Sequence, residues 1–222
     1  VKAPDDEAKI LAAEAQYSLG RYRKLAAAGS DDEGAGAFRA LALVRLGSYS
    51  AALAAFARTA PPDRFEAEYH LARAEALIAS ADAPAAAAAL ARAVAADAGR
   101  DQQPQMKFLG AALLRLKGEE AKARAEYRRV GAGAPDEWSM RARLAAAEDE
   151  AALTTLSLAW KSDAFDRDLL MRQASLRAKA GDFERALIAY AAVTARHPES
   201  DAALTAQAEA GGVLAALFED AS

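Results

Sequence analysis

The stretch Ala178–Ser200, AKAGDFERALIAYAAVTARHPES, constrains the fold more than any other part of the chain. Gly181 opens it, with Phe183 two residues on, Ala186 five on, Tyr190 nine on and Pro198 seventeen on, while Ala174 stands seven before the glycine. A glycine between two apolar runs permits a tight reversal, and the later proline cannot extend a helix that reaches it. The spacing therefore predicts two antiparallel helices joined at Gly181.

Weaker copies of this unit run along the chain. Gly47 is preceded by Ala40 and followed by Ala52, Phe56 and Pro61-Pro62, and the helix before it is expected from about Glu33 to Leu46. Ala81-Asp82-Ala83-Pro84 turns the third unit between Ala74 and the pair Ala86 and Leu90, with alanine in place of both the glycine and the aromatic. Gly118 lies between Ala111 and the pair Ala123 and Tyr127, and Pro135 falls seventeen residues after it. The first unit turns at Leu19-Gly20-Arg21-Tyr22 and its second helix is cut short by Gly29-Ser30-Asp31. Such an atypical end is what a terminal repeat shows. The fifth unit has no glycine; Trp138–Ala147 and Ala151–Trp160 read as helices around the acidic turn Glu148-Asp149-Glu150. A first helix over Arg167–Ala180 leads into Gly181, and Asp201–Phe218 reads as a closing helix weakened by Gly211-Gly212.

Composition agrees with helices. Of 222 residues 66 are alanine, the best helix former, and no stretch alternates with the period of a strand. The expected class is all-α, built as one continuous domain over residues 1–222. Alanines at 13, 40, 74, 111 and 174 let a neighbouring backbone approach, and Phe56, Leu90, Tyr127 and Tyr190 fill the space between units.

These residues and spacings resemble the tetratricopeptide repeat, a helix–turn–helix unit of about 34 residues. The resemblance implies a right-handed α-solenoid of about six units with a capping helix. It also implies a role in holding a peptide or partner protein on the faces of the first helices. Carried onto this chain, that face comprises Glu14, Leu41, Arg45, Glu68, Leu71, Glu75, Phe108, Arg115, Met171 and Lys179. Leu41, Leu71 and Phe108 are the anchors it implies. The family's terminal-carboxylate clamp uses lysines and asparagines; the chain has no asparagine, and the matching places are apolar or acidic, so that clamp is not expected.

No catalytic set stands in the sequence. There are no cysteines, and His70 and His197 lie in no HExxH or similar ligand spacing, so neither metal nor cofactor is expected. His197, just before Pro198, reads as a helix-end residue whose imidazole meets free carbonyls. Gly34-Ala-Gly36, Gly131-Ala-Gly133 and Gly211-Gly212 lack the GK[ST] of a phosphate-cradling loop and read as loops and helix breaks. A net charge of −4 with dispersed basic residues argues against nucleic acid. No apolar run reaches the length of about 20 residues that spans a bilayer. The expectation is a noncatalytic scaffold or assembly factor. Its alternative is the helical accessory region of a larger cell-envelope enzyme such as a lytic transglycosylase, for which Glu199-Ser200 is a bare dipeptide match. The Arg- and Ala-rich composition suggests a bacterial source, and the polar lead-in after Val1 favours the cell envelope over the cytoplasm.

Overall fold

The computed structural model describes residues 4–28, 33–96, 99 and 102–220. Among them the chain is all-helical, with thirteen α-helices, a short 3-10 turn at Asp63–Phe65 and no strand. The helices gather in two compact units, Val1–Ala123 and Arg124–Ser222.

The first unit holds α1 (Pro4–Ser18), α2 (Tyr22–Ala27), α3 (Glu33–Leu46), α4 (Tyr49–Phe56), α5 (Glu66–Ala79), α6 (Ala83–Ala95) and α7 (Gln103–Leu116). Alternate helices form a row in which α1 packs on α3, α3 on α5 and α5 on α7. The intervening helices lie between members of that row, α2 against α1 and α3, α4 against α3 and α5, and α6 against α5 and α7. The boundary between the units falls within α8 (Glu120–Gly131). In the second unit α9 (Glu137–Ala146), α10 (Glu150–Ala159), α11 (Asp163–Lys179), α12 (Phe183–Arg196) and α13 (Asp201–Asp220) repeat the arrangement, with α9, α11 and α13 in contact along one row.

One device makes most of the reversals. Gly20, Gly47, Gly118 and Gly181 have φ between 70° and 80°, and Ala81 has φ of 61°. The amide after each donates to a carbonyl five residues back: Arg21 to Gln16, Ser48 to Leu43, Asp82 to Leu77, Glu119 to Leu114 and Asp182 to Arg177, all at 2.9–3.0 Å. This is the Schellman closure, which satisfies the last carbonyls of a helix only if one residue turns left-handed. Each turn expected at 20, 47, 81, 118 and 181 is thus present and chemically alike. The fifth reversal uses none of this. Ala147 leaves α9 extended (φ −67°, ψ 133°), and Asp149, also extended, accepts the Ala152 amide at 2.8 Å to begin α10. An aspartate cap between extended residues needs no glycine.

Ala81 pays the steric cost of the left-handed conformation, about 1–2 kcal/mol for an alanine. Its side chain is exposed, so replacing it removes no packing. Part of the gain from Ala81→Gly is offset by the greater freedom of glycine in the unfolded chain. The expected outcome is a gain of about 0.5–1 kcal/mol, read as a higher urea midpoint at unchanged slope. A lower midpoint would show that residue 81 is not held left-handed in solution.

Packing follows the small–large pattern. Ala40, Ala74, Ala111 and Ala174 are at most 1% exposed and Ala13 6%, and Ala52, Ala86, Ala123 and Ala186 have no exposure. Phe56, Tyr127 and Tyr190 are buried, whereas Leu90 is half-buried. Three expectations need correction. Gly34 and Gly36 lie inside α3 rather than in a loop, and a Cβ on Gly34 would sit 2.5 Å from Ile10 Cδ1, so glycine there lets α1 close on α3. Helix α13 runs through Gly211 and Gly212, both in open space, because its other side is held through Ala206 and Val213. Helix α11 starts at Asp163, four residues before Arg167, because Ser162 Oγ accepts the Phe165 amide at 3.2 Å and so caps it. The Gly29-Ser30-Asp31 break lies outside the described residues.

Candidate interaction surfaces

The ten residues expected on the first-helix faces divide by depth. Leu41 and Leu71 have no exposure and Phe108 has 8%, so none of the three presents an anchor at the surface. The physical reason is the row packing. A leucine facing the next helix of the row loses its water contact to that helix, and Leu41 belongs to the core around Phe38 and Phe56. Glu14, Arg45, Glu68 and Met171 are half-buried, Glu75 is buried, and Arg115 and Lys179 are exposed.

Among the ten, Arg45 and Glu68 meet. Arg45 Nη2 lies 3.1 Å from Glu68 Oε1, joining α3 to α5. Tyr17 of α1 completes the cluster, its hydroxyl donating to Glu68 Oε1 at 2.6 Å and accepting from Arg45 Nε at 3.2 Å. Burial drives the Tyr17 phenol far above its ordinary range; Arg45 opposes that shift and the Glu68 carboxylate adds to it. The hydroxyl therefore remains protonated, and a donor, at neutral pH. Its ring packs on Tyr22 at 5.4 Å and Phe38 at 6.0 Å. Tyr17 was open to detection from the sequence. It follows Ala13 by one helical turn, on the same face. Farther along α5, Tyr49 donates to Glu75 Oε1 at 3.2 Å.

The second unit contains a cleft of about 590 Å³ where the α10–α11 turn meets α11 and the end of α12. Its apolar lining includes Phe165, Leu169 and Leu170, and Trp160, Lys161, Asp163, Gln173, Arg196 and His197 also line it. Among its lining residues Asp166 is engaged through both oxygens: Oδ2 lies 2.8 Å from His197 Nε2, and Oδ1 lies 2.8 Å from Arg196 Nη2. His197 thus meets a carboxylate, not the helix-end carbonyls expected of it. The opposite case is His70 on α5, which is 5% exposed with Nδ1 lacking a partner. Burial, reinforced by Arg92, lowers its proton affinity and keeps it neutral. Among the described residues no group of three His, Asp or Glu side chains is placed to hold a metal ion. None of the described helices is long and apolar enough to cross a membrane.

Compared with known proteins, the chain matches no family model, no curated protein and no solved structure.

Proposed function

We propose that the chain is a noncatalytic scaffold, a right-handed α-solenoid of the tetratricopeptide kind that holds a peptide or partner protein. The observation that carries this reading is the recurrence of one turn at 20, 47, 81, 118 and 181, each preceded by a buried alanine seven residues before it. Repeats built this way place a series of equivalent helix faces side by side, and an extended face suits another polypeptide better than a small substrate. With Leu41 and Leu71 internal, recognition falls to Glu14, Arg45, Glu68 and Arg115 on the first unit and to Met171 and Lys179 on the second. These are mostly charged, so the partner is read through hydrogen bonds and charge with few apolar anchors.

The test is photo-crosslinking in cells. A benzophenone amino acid is placed singly at Arg115 and Lys179, and at the exposed sites Ala91 and Ile188 on intervening helices as controls. A discrete protein adduct at the first two positions and not at the controls is expected. Adducts absent at every position, together with substrate turnover by the purified chain, would refute the scaffold reading.

A further inference from the structure

The first and last helices turn apolar faces to solvent, where a surface helix ordinarily carries polar and charged residues. Helix α1 packs inward through Ile10, Ala13 and Tyr17. Its opposite side is Ala8, Leu11, Ala12 and Ala15, continued by Leu19 in the turn, all exposed and none polar. Helix α13 is built the same way. Ala203, Ala206 and Val213 are buried, and the outward stripe is Leu204, Ala208, Gly211, Ala215 and Phe218. Steps of four and three residues are the spacing of a helix–helix seam. Of the nine large apolar side chains exposed among the described residues, six stand on these two helices or the turn after α1; the other three are on three separate helices. Concentrated exposure of this kind marks an interaction surface. A Cβ on Gly211 would meet nothing, so the fold itself makes no use of the close approach that this glycine permits. Inside the first unit that device is in use, where Gly34 of α3 admits Ile10 of α1.

We propose that these two faces bind each other between copies of the chain, α13 of one copy docking on α1 of a second, head to tail. Charge selects this pairing. The sequence of α13 has four acids and no base, so two copies of α13 face to face would set acid against acid. Where α1 turns into α2, three exposed cations, Arg21, Arg23 and Lys24, stand within four residues, while Asp6 and Glu7 lie at the other end of α1. Shape agrees with charge. Small residues in the middle of each stripe let the helix axes approach to about 8 Å, and the large residues of one stripe lie over small ones of the other. Each stripe is about 20 Å long, which places the contact at the small end of specific interfaces and its dissociation constant at tens to hundreds of micromolar. The two surfaces differ, so the contact is heterologous and a third copy can add to the second. This assembly does not depend on the partner-binding role proposed above.

The experiment is sedimentation equilibrium of the full chain and of two variants, Ala15→Glu on α1 and Ala215→Glu on α13. Both positions are exposed and glutamate is a good helix former, so the urea midpoint of each variant is expected to match the wild type. The wild-type average mass is expected to rise with concentration, and each variant alone to self-associate at least about tenfold more weakly. Mixed together, the variants retain one intact seam, α13 of Ala15→Glu on α1 of Ala215→Glu. They are therefore expected to form a 1:1 dimer and nothing larger. A wild type that keeps the mass of one chain up to about 0.5 mM overturns the proposal. So does a variant that dimerises alone: Ala15→Glu would do so through a symmetric pair of α13 helices, and Ala215→Glu through a symmetric pair of α1 helices.

Discussion

Asp168→Asn is expected to lower the stability of the protein by about 2–3 kcal/mol at neutral pH. Asp168 on α11 lies between two buried arginines, with Arg141 Nε at 2.9 Å and Arg167 Nε at 3.4 Å. The arginine side chains are 7% and 3% exposed, whereas the aspartate side chain is 31% exposed. The carboxylate therefore retains some water, and its loss is set below the full value for a wholly buried pair. Arg141 also stacks over the Trp138 ring at 4.8 Å, which holds its guanidinium in place whether or not the carboxylate is charged. Burial alone would raise the Asp168 pKa, but Arg141 and Arg167 outweigh it and hold the carboxyl below the usual range. The sign of the linkage follows. A depressed native value gives stability that is complete above the unfolded pKa of about 4 and is lost as pH falls through the native value. The wild type should thus exceed Asp168→Asn in urea unfolding at pH 7, and the gap should narrow below about pH 4. Glu148→Gln, which breaks the exposed pairs to Arg124 and Arg128, should leave the midpoint near that of the wild type. A gap that is absent at pH 7, or that does not change with pH, would show that the two arginines do not depend on this carboxylate.

Neither this network nor the cleft was legible in the sequence, whereas the turns were. A left-handed residue leaves a local trace, a glycine at fixed distance from small and large apolar positions, so Gly47 and Gly181 announced their helices on both sides. Ala81 was found only because its flanking alanines kept the register. Asp168 leaves no such trace. It stands among Asp163, Asp166, Arg167 and Arg172, and spacing does not say which of several charges on one helix turns inward. That choice is made by the neighbouring helix, here α9 through Arg141, 27 residues away in the chain. The candidate face was legible in register but not in depth. Arg45 and Glu68 meet as facing positions should, yet Leu41 and Leu71 share the same period and are internal. Helical periodicity gives an angle around the axis; burial also depends on how closely the next helix approaches. The start of α11 was missed for a local reason, because the Ser162 cap carries little apolar signal until Phe165.

Tyr190→Ala should cost the most, about 3–5 kcal/mol. Tyr190 is 3% exposed, nine residues after the Gly181 turn, in a cluster with Ala174, Ala186, Ala189, Val193, Ala206 and Val213. The composition of that cluster decides where in the range the loss falls. Cavities left by large-to-small replacements are partly refilled when neighbouring side chains change rotamer. The alanines have no rotamer to change, but Val193, Val213 and the partly buried Leu170, Met171, Phe183 and Leu187 packed against the cluster do, so the space refills in part. The loss should therefore sit near the middle of the range. Tyr190→Phe separates ring from hydroxyl, and it should cost about 1 kcal/mol or less because the packing area is kept. Burial and the nearby Glu209 carboxylate raise the Tyr190 phenol. A raised native value gives stability that is complete below the unfolded pKa of about 10 and falls as pH rises through the native value. Tyr190→Phe should accordingly lose less stability than the wild type in strongly alkaline buffer. If urea unfolding showed Tyr190→Ala within about 1 kcal/mol of Tyr190→Phe, the aromatic would not be what spaces these helices. The small–large alternation along the array would then need a different physical cause, because Phe56 and Tyr127 occupy the same place relative to their own turns.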